Sequence, residues 1–302
     1  MGKYMRYLMI TVVMMATLLA VSCATTGDAK SLTGVWDSEE DGFSCRMMFT
    51  ADGYYAYEEY SEGDLTYLDF GRYEAEYPDE EDVEDPYTYI TLGNSYMEYS
   101  WDGSHLVIDL WGNPTVFSRT SKSAKNNTRA SELAGVWNYG GALAGFTKGG
   151  FAISMGYGGD TGDYRILPAG EDRELPAIEV DGEEMPFLII NNTMFIRDWG
   201  FLDTWENTVL ERVTKGGEDQ TTREILVTAN PWHLTDIDYG TNHYIYNFNQ
   251  DGTYSMQYYT DYDDSKSNSY GAFTYSDHHI ELSDNADLAY AIIDLTPFMF
   301  TH

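Results

Sequence analysis

Lysine and arginine are scarce in this chain: 17 of them stand against 50 aspartates and glutamates, and the formal net charge is −33. Nucleic acids and anionic lipid surfaces attract basic faces, so neither is expected as the main partner. A charge of this size keeps a protein soluble and could attract cations or basic ligands. The composition therefore argues against nucleic acid and leaves small-molecule, glycan and protein ligands open.

Cysteine is also rare, occurring only as Cys23 and Cys45. If Cys23 is modified, as argued below, Cys45 has no partner within the chain, and the domains must be stable without a disulfide. We expect Cys45 to be a small, buried apolar residue on a strand rather than a reactive thiol.

Sequence signatures of catalysis are absent. The chain contains no Gly-x-Ser-x-Gly elbow, no phosphate-binding glycine loop and no His-Glu-x-x-His helix. Adjacent strand residues point to opposite faces, so His278 and His279 are not expected to share a metal. Asp261, Asp263 and Asp264 could offer oxygens to calcium but lack the glycine and the final glutamate of an EF-hand. We predict no enzyme activity, no cofactor and no metal site.

Helical periodicity is missing as well, and after the amino-terminal segment no window predicts more than one short helix. The chain has instead 26 tyrosines, 28 glycines and many short alternating segments bounded by turn residues, a pattern that favours strands. Asp52-Gly53 and Asp102-Gly103 are strong hairpin signals. Between residues 32 and 119 the pattern predicts seven or eight short antiparallel strands, the spacing of a barrel or a sandwich.

One short motif returns along the chain. Leu32-Thr33-Gly34-Val35-Trp36 is repeated as Leu133-Ala134-Gly135-Val136-Trp137 and, eroded, as Asn230-Pro231-Trp232-His233-Leu234. The three tryptophans are 101 and 95 residues apart, a period that fits one small domain for each copy.

The repeat predicts three modules, at 31–120, 132–214 and 224–302. The third is divergent or incomplete, because its tryptophan lacks the preceding Leu-x-Gly and no closing arginine follows it. Polar segments at 121–131 and 215–220 are the predicted linkers.

Two kinds of segment leave alternatives open. The glycines from Gly140 to Gly162 could form a flexible loop or close-packed bends at barrel corners. The tyrosine runs that begin at Tyr54 and Tyr258 could be binding surfaces, because tyrosine combines stacking area with a polar tip, or cross-strand ladders that stabilise sheets.

The amino terminus has the organisation of a secretory signal peptide over residues 1–22. Lys3 and Arg6 form a short basic region, and no charge occurs from Tyr7 to Ser22. The segment that ends at Cys23 resembles a bacterial lipoprotein box, in which a lipid is attached to the cysteine that becomes the new amino terminus. The resemblance implies lipid attachment at Cys23, a tether at 23–30, export, and anchoring in the cell envelope at the outer membrane. An ordinary signal peptide and a retained membrane anchor are the alternatives.

The order of motifs from Leu-x-Gly-x-Trp through Phe-x-x-Asp-Gly-x-Tyr to a closing Phe-x-Arg resembles small bacterial lipocalin-like modules. That resemblance implies tandem small up-and-down antiparallel β-barrels, an all-β fold. It also implies that an arginine near the end of the last strand covers the tryptophan of the first. The residues that carry these roles are Gly34, Trp36 and Arg119 in the first module and Gly135, Trp137 and Arg212 in the second. A guanidinium stacked on an indole stabilises a fold by about 0.5–2 kcal/mol. The role that the resemblance implies for these arginines is therefore structural and not catalytic.

These observations predict a binding protein without enzyme activity. We expect an outer-membrane-anchored lipoprotein that binds a small molecule or a glycan non-covalently at its barrel mouths or loops. The first alternative is a surface adhesin or interaction protein whose filled barrels are rigid spacers. The second is an envelope enzyme that acts on carbohydrates.

Overall fold

Three antiparallel sheets, each curled into a barrel, make up the structure. The computed structural model describes residues 31–40, 42–76, 88–140, 142–155, 158–170, 173–198, 207–236, 242–276, 279–284, 286–294 and 296–301. The prediction of an all-β chain of tandem small antiparallel barrels is confirmed. No helix in these ranges has the length and hydropathy needed to span a membrane.

The first barrel is closed, because β1 pairs with both β2 and β8. Along β3 the side chains alternate: Tyr55 and Tyr57 point into the barrel core, whereas Ala56 faces outward onto the next barrel. The strands are β1 (Gly34–Glu40), β2 (Phe43–Phe49), β3 (Tyr54–Ser61), β4 (Asp64–Glu76), β5 (Thr88–Leu92), β6 (Ser95–Asp102), β7 (His105–Leu110) and β8 (Asn113–Ser121).

In the second barrel the first and last strands also pair, but the sheet stays open between its fourth and fifth strands. A short helix α1 (Ala130–Leu133) precedes it. Its strands are β9 (Gly135–Tyr139), β10 (Ala142–Phe146), β11 (Gly150–Met155), β12 (Gly158–Asp163), β13 (Arg165–Leu167), β14 (Ala177–Val180), β15 (Glu183–Ile190), β16 (Thr193–Ile196) and β17 (Thr208–Arg212). The glycine-rich stretch is therefore largely strand. At Gly145 an added Cβ would lie 2.6 Å from Ile293 and 2.8 Å from Phe298, so glycine is needed there for the third barrel to approach.

Strands β12 and β13 together are the counterpart of β4. In the first barrel the Tyr73 N–H donates to the Gly53 carbonyl, and the Tyr73 hydroxyl donates to the Thr50 carbonyl at 2.9 Å. In the second barrel Tyr164, which lies between β12 and β13, makes the same two bonds to Gly149 and Thr147. The second barrel thus corresponds to the eight strands of the first, and it has nine because its fourth strand is interrupted and counted as β12 and β13.

The third barrel has seven strands in the described residues, and β18 and β24 are the edges of its sheet. Helix α2 (Arg223–Thr228) precedes it, and the Thr222 hydroxyl caps that helix by accepting the Ile225 N–H. The strands are β18 (Trp232–Asp236), β19 (Asn242–Phe248), β20 (Thr253–Thr260), β21 (Asp263–Ser276), β22 (His279–Leu282), β23 (Asp287–Ile293) and β24 (Thr296–Thr301).

An asparagine side chain replaces a backbone pairing in this third copy. Gly34 pairs with Phe49 through its backbone in the first barrel. At the corresponding place Asn230 Oδ1 accepts the N–H of Phe248 at 2.9 Å, and Asn230 Nδ2 donates to the Phe248 carbonyl at 2.6 Å. The carboxamide of Asn230 makes the two hydrogen bonds that a backbone peptide group would make. The third motif can therefore lack the glycine and still be hydrogen-bonded to the backbone of Phe248.

The first two barrels pack against each other through apolar outer faces. Ala56, Leu68 and Phe70 of the first meet Leu188 and Phe195 of the second. The Phe70 and Phe195 ring centroids are 6.0 Å apart. Hydrogen bonds from Asn207 Nδ2 to the Leu68 carbonyl and from Arg197 Nη2 to the Phe70 carbonyl flank this apolar contact.

The second and third barrels are joined at Asp294, in the turn after β23. Its carboxylate accepts the N–H groups of Gly217 and Glu218 at 2.9 and 2.8 Å and the hydroxyl of Thr214 at 2.8 Å. Burial acts to raise the pKa of Asp294, but the two backbone N–H groups and the hydroxyl outweigh it and lower that pKa. The ionised carboxylate therefore ties the end of the second barrel to the third.

The predicted linkers contain ordered straps, at 125–128 and 218–221, and each strap is bonded to the barrel that follows it. Asn127 N–H donates to the Ile189 carbonyl at 2.7 Å, and Ile189 N–H donates to Thr128 Oγ1 at 2.8 Å. Equivalent bonds hold the second strap: Gln220 N–H to the Ile292 carbonyl at 2.9 Å and Ile292 N–H to Thr221 Oγ1 at 3.0 Å.

Candidate functional site

The first barrel is plugged at one end by a tryptophan. Trp36 is fully buried, and its Nε1 donates to the Leu32 carbonyl at 2.7 Å. Arg119 lies opposite Trp36 in the β1–β8 pairing, with its Cζ 4.2 Å from the ring centroid, and Nη2 donates to the Ser31 carbonyl. Burial lowers the pKa of this guanidinium. The Arg119 guanidinium thus stacks on Trp36 and is hydrogen-bonded to the backbone at this end of the barrel, so its role is structural.

The second barrel has the same plug. Trp137 Nε1 donates to the Leu133 carbonyl at 2.8 Å, and Arg212 Cζ lies 4.0 Å from the Trp137 ring centroid. Arg212 Nη2 donates to the Glu132 carbonyl, and the Arg212 side chain is only 4% exposed. In the third barrel Trp232 Nε1 donates at 2.8 Å to a leucine carbonyl in α2, that of Leu226.

Glycine is required at the start of each of the first two plugs. Gly34 has φ +143° and Gly135 has φ +133°. An added Cβ would lie 2.5 Å from the Ser121 carbonyl oxygen in the first barrel and 2.3 Å from that of Thr214 in the second. The structure thus brings the six predicted structural residues together as two plugs. Cys23, the predicted lipid attachment site, lies outside the described residues.

Side chains fill the barrel interiors. Phe49, Tyr55 and Phe117 are fully buried inside the first barrel, and Phe146 and Phe187 inside the second. The described cavities lie between the barrels or at their ends. One of about 550 Å³ is lined by groups from the first two barrels, including Arg72 and Glu174. Another, of about 380 Å³, lies between the second and third.

The other end of the first barrel carries exposed aromatic rings. In an up-and-down barrel the turns after β1, β3, β5 and β7 meet at one end, here opposite Trp36. Four exposed rings lie there, and together they form the mouth surface: Phe43, Tyr67, Tyr96 and Trp111. Tyr67 is 42% and Trp111 59% exposed. Exposed aromatic groups of this kind mark interaction sites in soluble proteins.

Two rings of the mouth surface form a right-angled corner. The Tyr67 and Trp111 centroids are 5.6 Å apart at an interplanar angle of 86°, and both rings rest on the buried Tyr57. Burial, followed by the charges of Asp69 and Glu59, raises the pKa of Tyr67. The corner is therefore a fixed aromatic feature in a negative electrostatic environment.

The surroundings of the mouth surface are acidic. Glu39, Glu40, Glu62 and Asp64 are exposed on the adjoining turns, and these four residues form the acidic rim. The four turn segments, 39–43, 61–67, 92–98 and 109–113, contain no lysine or arginine.

A second unusual group is buried between the first two barrels. Glu58 is 1% exposed; its Oε2 accepts the Tyr60 hydroxyl at 2.9 Å, and its Oε1 has no hydrogen-bond partner in the described part of the chain. Burial raises the pKa of Glu58 to about 7, although Tyr60 and Arg46 act in the opposite direction and Glu211 of the second barrel adds to the rise.

The remaining candidates have ordinary structural surroundings. Cys45 is half-buried on β2, and burial raises the pKa of its thiol. Asp261 contacts His243 Nε2 at 3.0 Å. His278 lies outside the described residues, and His279 begins β22. No group of three or more metal-ligating side chains occurs in the part of the chain that the structure describes.

The two tyrosine runs differ in their roles. Tyr55 belongs to the first barrel core, and the Tyr54 ring is covered by Arg72, whose Cζ lies 4.7 Å from the ring centroid. Tyr258 contacts Tyr244 across the strand pair at 5.1 Å, whereas Tyr262 is 81% exposed in the β20–β21 turn. Most of these tyrosines therefore support the sheets.

Sequence reasoning missed the mouth surface and Glu58. Trp111 lies beside Gly112 in a two-residue hairpin turn, and a large aromatic residue in such a turn is a signal that could have been used. The burial of Glu58 has no local signal, because Glu58 shares the outer face of β3 with Ala56, and that face packs against the second barrel.

Comparison with known proteins gives little further information. No protein-family model and no curated protein matches the chain. Among solved structures it resembles DNA polymerase III β subunits, the sliding clamps. That of Bartonella birtlesii bound to griselimycin has 9% identity, a TM-score of 0.19 and 92% coverage of both chains. The sliding clamp of Caulobacter crescentus has 9% identity, a TM-score of 0.19, and coverage of 92% of this chain and 93% of that chain. A putative β subunit from Eubacterium rectale has 10% identity, a TM-score of 0.18 and 92% coverage of both chains. At such TM-scores neither fold nor function is carried over to this chain.

The predicted function, non-covalent binding of a small molecule or glycan by lipocalin-like modules, is wrong. The physical reason lies in the barrels, whose described interiors are packed with aromatic side chains instead of holding an open cup.

Proposed function

We propose that this chain is a protein-binding scaffold without enzyme activity, and that the mouth surface of the first barrel is its binding site. The observation that carries the proposal is the exposed corner of Tyr67 and Trp111. Tryptophan and tyrosine dominate the binding energy of protein interfaces. A ring held in place by packing loses little conformational freedom on binding, so the corner is suited to contact a partner.

The packing of the three barrels supports this role. Apolar faces and hydrogen bonds join each barrel to the next, and the straps remove slack between them. A partner at the mouth surface would therefore meet one body with a fixed orientation.

The proposal places the protein outside the cytoplasm, held by a lipid on Cys23. Its support is the basic region at Lys3 and Arg6, the uncharged stretch to Ser22 and the lipoprotein-like box that follows. We predict that Cys23→Ala leaves the protein without lipid and moves it from the detergent phase to the aqueous phase on partitioning. Unchanged partitioning of that variant would contradict the anchor.

The binding role can be tested by site-specific photocrosslinking of the full chain in its own envelope. A photoreactive residue at position 111 should give a discrete protein adduct, and the same residue at the exposed position 262 of the third barrel should not. Purified wild-type chain should compete for the adduct, whereas the Tyr67→Ala variant should not. Equal labelling from both positions, or competition by both proteins, would exclude the mouth surface as the site.

A further inference from the structure

We propose that the mouth surface binds an arginine side chain presented by a basic segment of the partner protein. This inference rests on the proposed function and names the chemistry of its partner. Three observations carry it: the free ring faces at the corner, the one-sided charge around them, and a groove beside Trp111 that two carboxylates line.

The corner offers stacking surface that no cation of the described residues covers. A guanidinium is attracted to an aromatic face within about 6 Å of its centroid. This chain uses that contact itself, with Arg119 at 4.2 Å from Trp36 and Arg212 at 4.0 Å from Trp137. In the described residues no lysine or arginine stacks on Tyr67 or Trp111. The two rings are thus available to a cation from outside.

The charges near the corner also favour a cationic partner. The acidic rim lies on two of the four turns at this end of the barrel, and the turn segments that carry the rings contain no basic residue. The cations on the adjoining walls are already ion-paired, Arg46 with Asp37 at 2.8 Å and Arg197 with Asp69 at 3.6 Å. Complementary charge of this kind accelerates association and selects the partner.

The groove beside Trp111 favours arginine over lysine. It has a volume of about 320 Å³ and is lined by Tyr96, Glu98, Asp109 and Trp111 among others. Glu98 and Asp109 are the two carboxylates among these lining residues. A planar guanidinium can stack on an indole and at the same time donate several N–H groups to carboxylates, whereas an ammonium is a compact point charge.

Fluorine NMR of the full mature chain labelled with 5-fluorotryptophan tests this inference. Trp111→Asn assigns the resonance, because asparagine tolerates the φ of 53° at this position. The probe is the capped peptide Gly-Arg-Gly-Arg-Gly, and its control contains citrulline, which has the same shape without the charge. The Trp111 resonance should shift saturably as the arginine peptide is added. The dissociation constant of the citrulline peptide, measured from the same resonance, should be at least tenfold higher.

Charge variants separate the rim from the overall acidity of the chain. Glu40→Gln, Glu62→Gln and Asp64→Asn together should weaken binding of the arginine peptide at least fivefold. The matched control neutralises three exposed acids elsewhere, Glu183, Glu218 and Glu224, and should change the affinity less than twofold. Equal affinity for both peptides, or equal effects of the two charge sets, would overturn the inference.

The outcomes also separate this inference from the proposed function. A protein adduct at position 111 together with no arginine-dependent shift would keep the scaffold and remove the arginine anchor. A guanidinium-dependent shift without any protein adduct would keep the cation site and remove the scaffold role.

Discussion

Replacing the buried Glu58 by glutamine should stabilise the protein, and the gain should grow with pH. The folded pKa of Glu58 is about 7, against an ordinary value of 4.5. Because the folded pKa is raised, the protonated group is accommodated fully below pH 4.5, and stability is lost as the pH rises through 7. At 1.36 kcal/mol per unit of pKa, the raised pKa of Glu58 costs about 1.5 kcal/mol at pH 5.5, where the folded protein must hold a proton that the unfolded chain releases, and about 3 kcal/mol at pH 8.5, where the buried carboxylate is ionised.

Urea unfolding followed by tryptophan fluorescence measures this effect. Glu58→Gln should raise the free energy of unfolding by about 3 kcal/mol at pH 8.5 and about half of that at pH 5.5. Glu40→Gln removes the same charge from an exposed position of the same barrel and should change stability by about 0.5 kcal/mol or less at either pH. A gain that is the same at both pH values would refute the reasoning, because Glu58 would then not titrate between them.

Three further predictions concern the plugs and the junction. Gly135→Ala should destabilise by about 2–4 kcal/mol, because the new Cβ meets the Thr214 carbonyl, whereas Gly149→Ala, with open space around it, should stay within about 0.5 kcal/mol in the same urea experiment. Arg212→Met should cost about 2–3 kcal/mol and more than Arg119→Met, because Arg212 is almost fully buried; equal losses in paired melts would contradict the argument. Asp294→Asn should lower the Tm at pH 7, and this difference should vanish as the pH falls through the lowered folded pKa of Asp294; a constant difference in calorimetry down to pH 3 would argue against a charged contact.

The strands could be predicted from the sequence because their signals are local. Asp52-Gly53 marks a turn and the flanking residues alternate, so the bounds of β2 and β3 follow from a few neighbouring residues. The repeat of Gly34 and Trp36 at Gly135 and Trp137 likewise reflects a local need, a close approach to the last strand. These features belong to each barrel alone.

Contacts between barrels could not be predicted in the same way. Glycine at 145 looks like part of a flexible loop, and only the approach of Ile293 and Phe298 explains it. Glu58 looks like any other acid of a highly acidic chain until a second barrel covers it. Each of these depends on residues distant in sequence, which one sequence alone does not bring together.

The straps determine how the chain would respond to tension. If residues 121–131 were a free linker, pulling on its ends would extend it by up to about 36 Å before any barrel felt the force. With 125–128 bonded to Ile189, and 218–221 bonded to Ile292, that slack does not exist at low force. A pull between the first barrel and the third barrel is therefore transmitted at once through all three barrels. Extension begins only when a strap detaches, so the straps set the force at which the protein first lengthens.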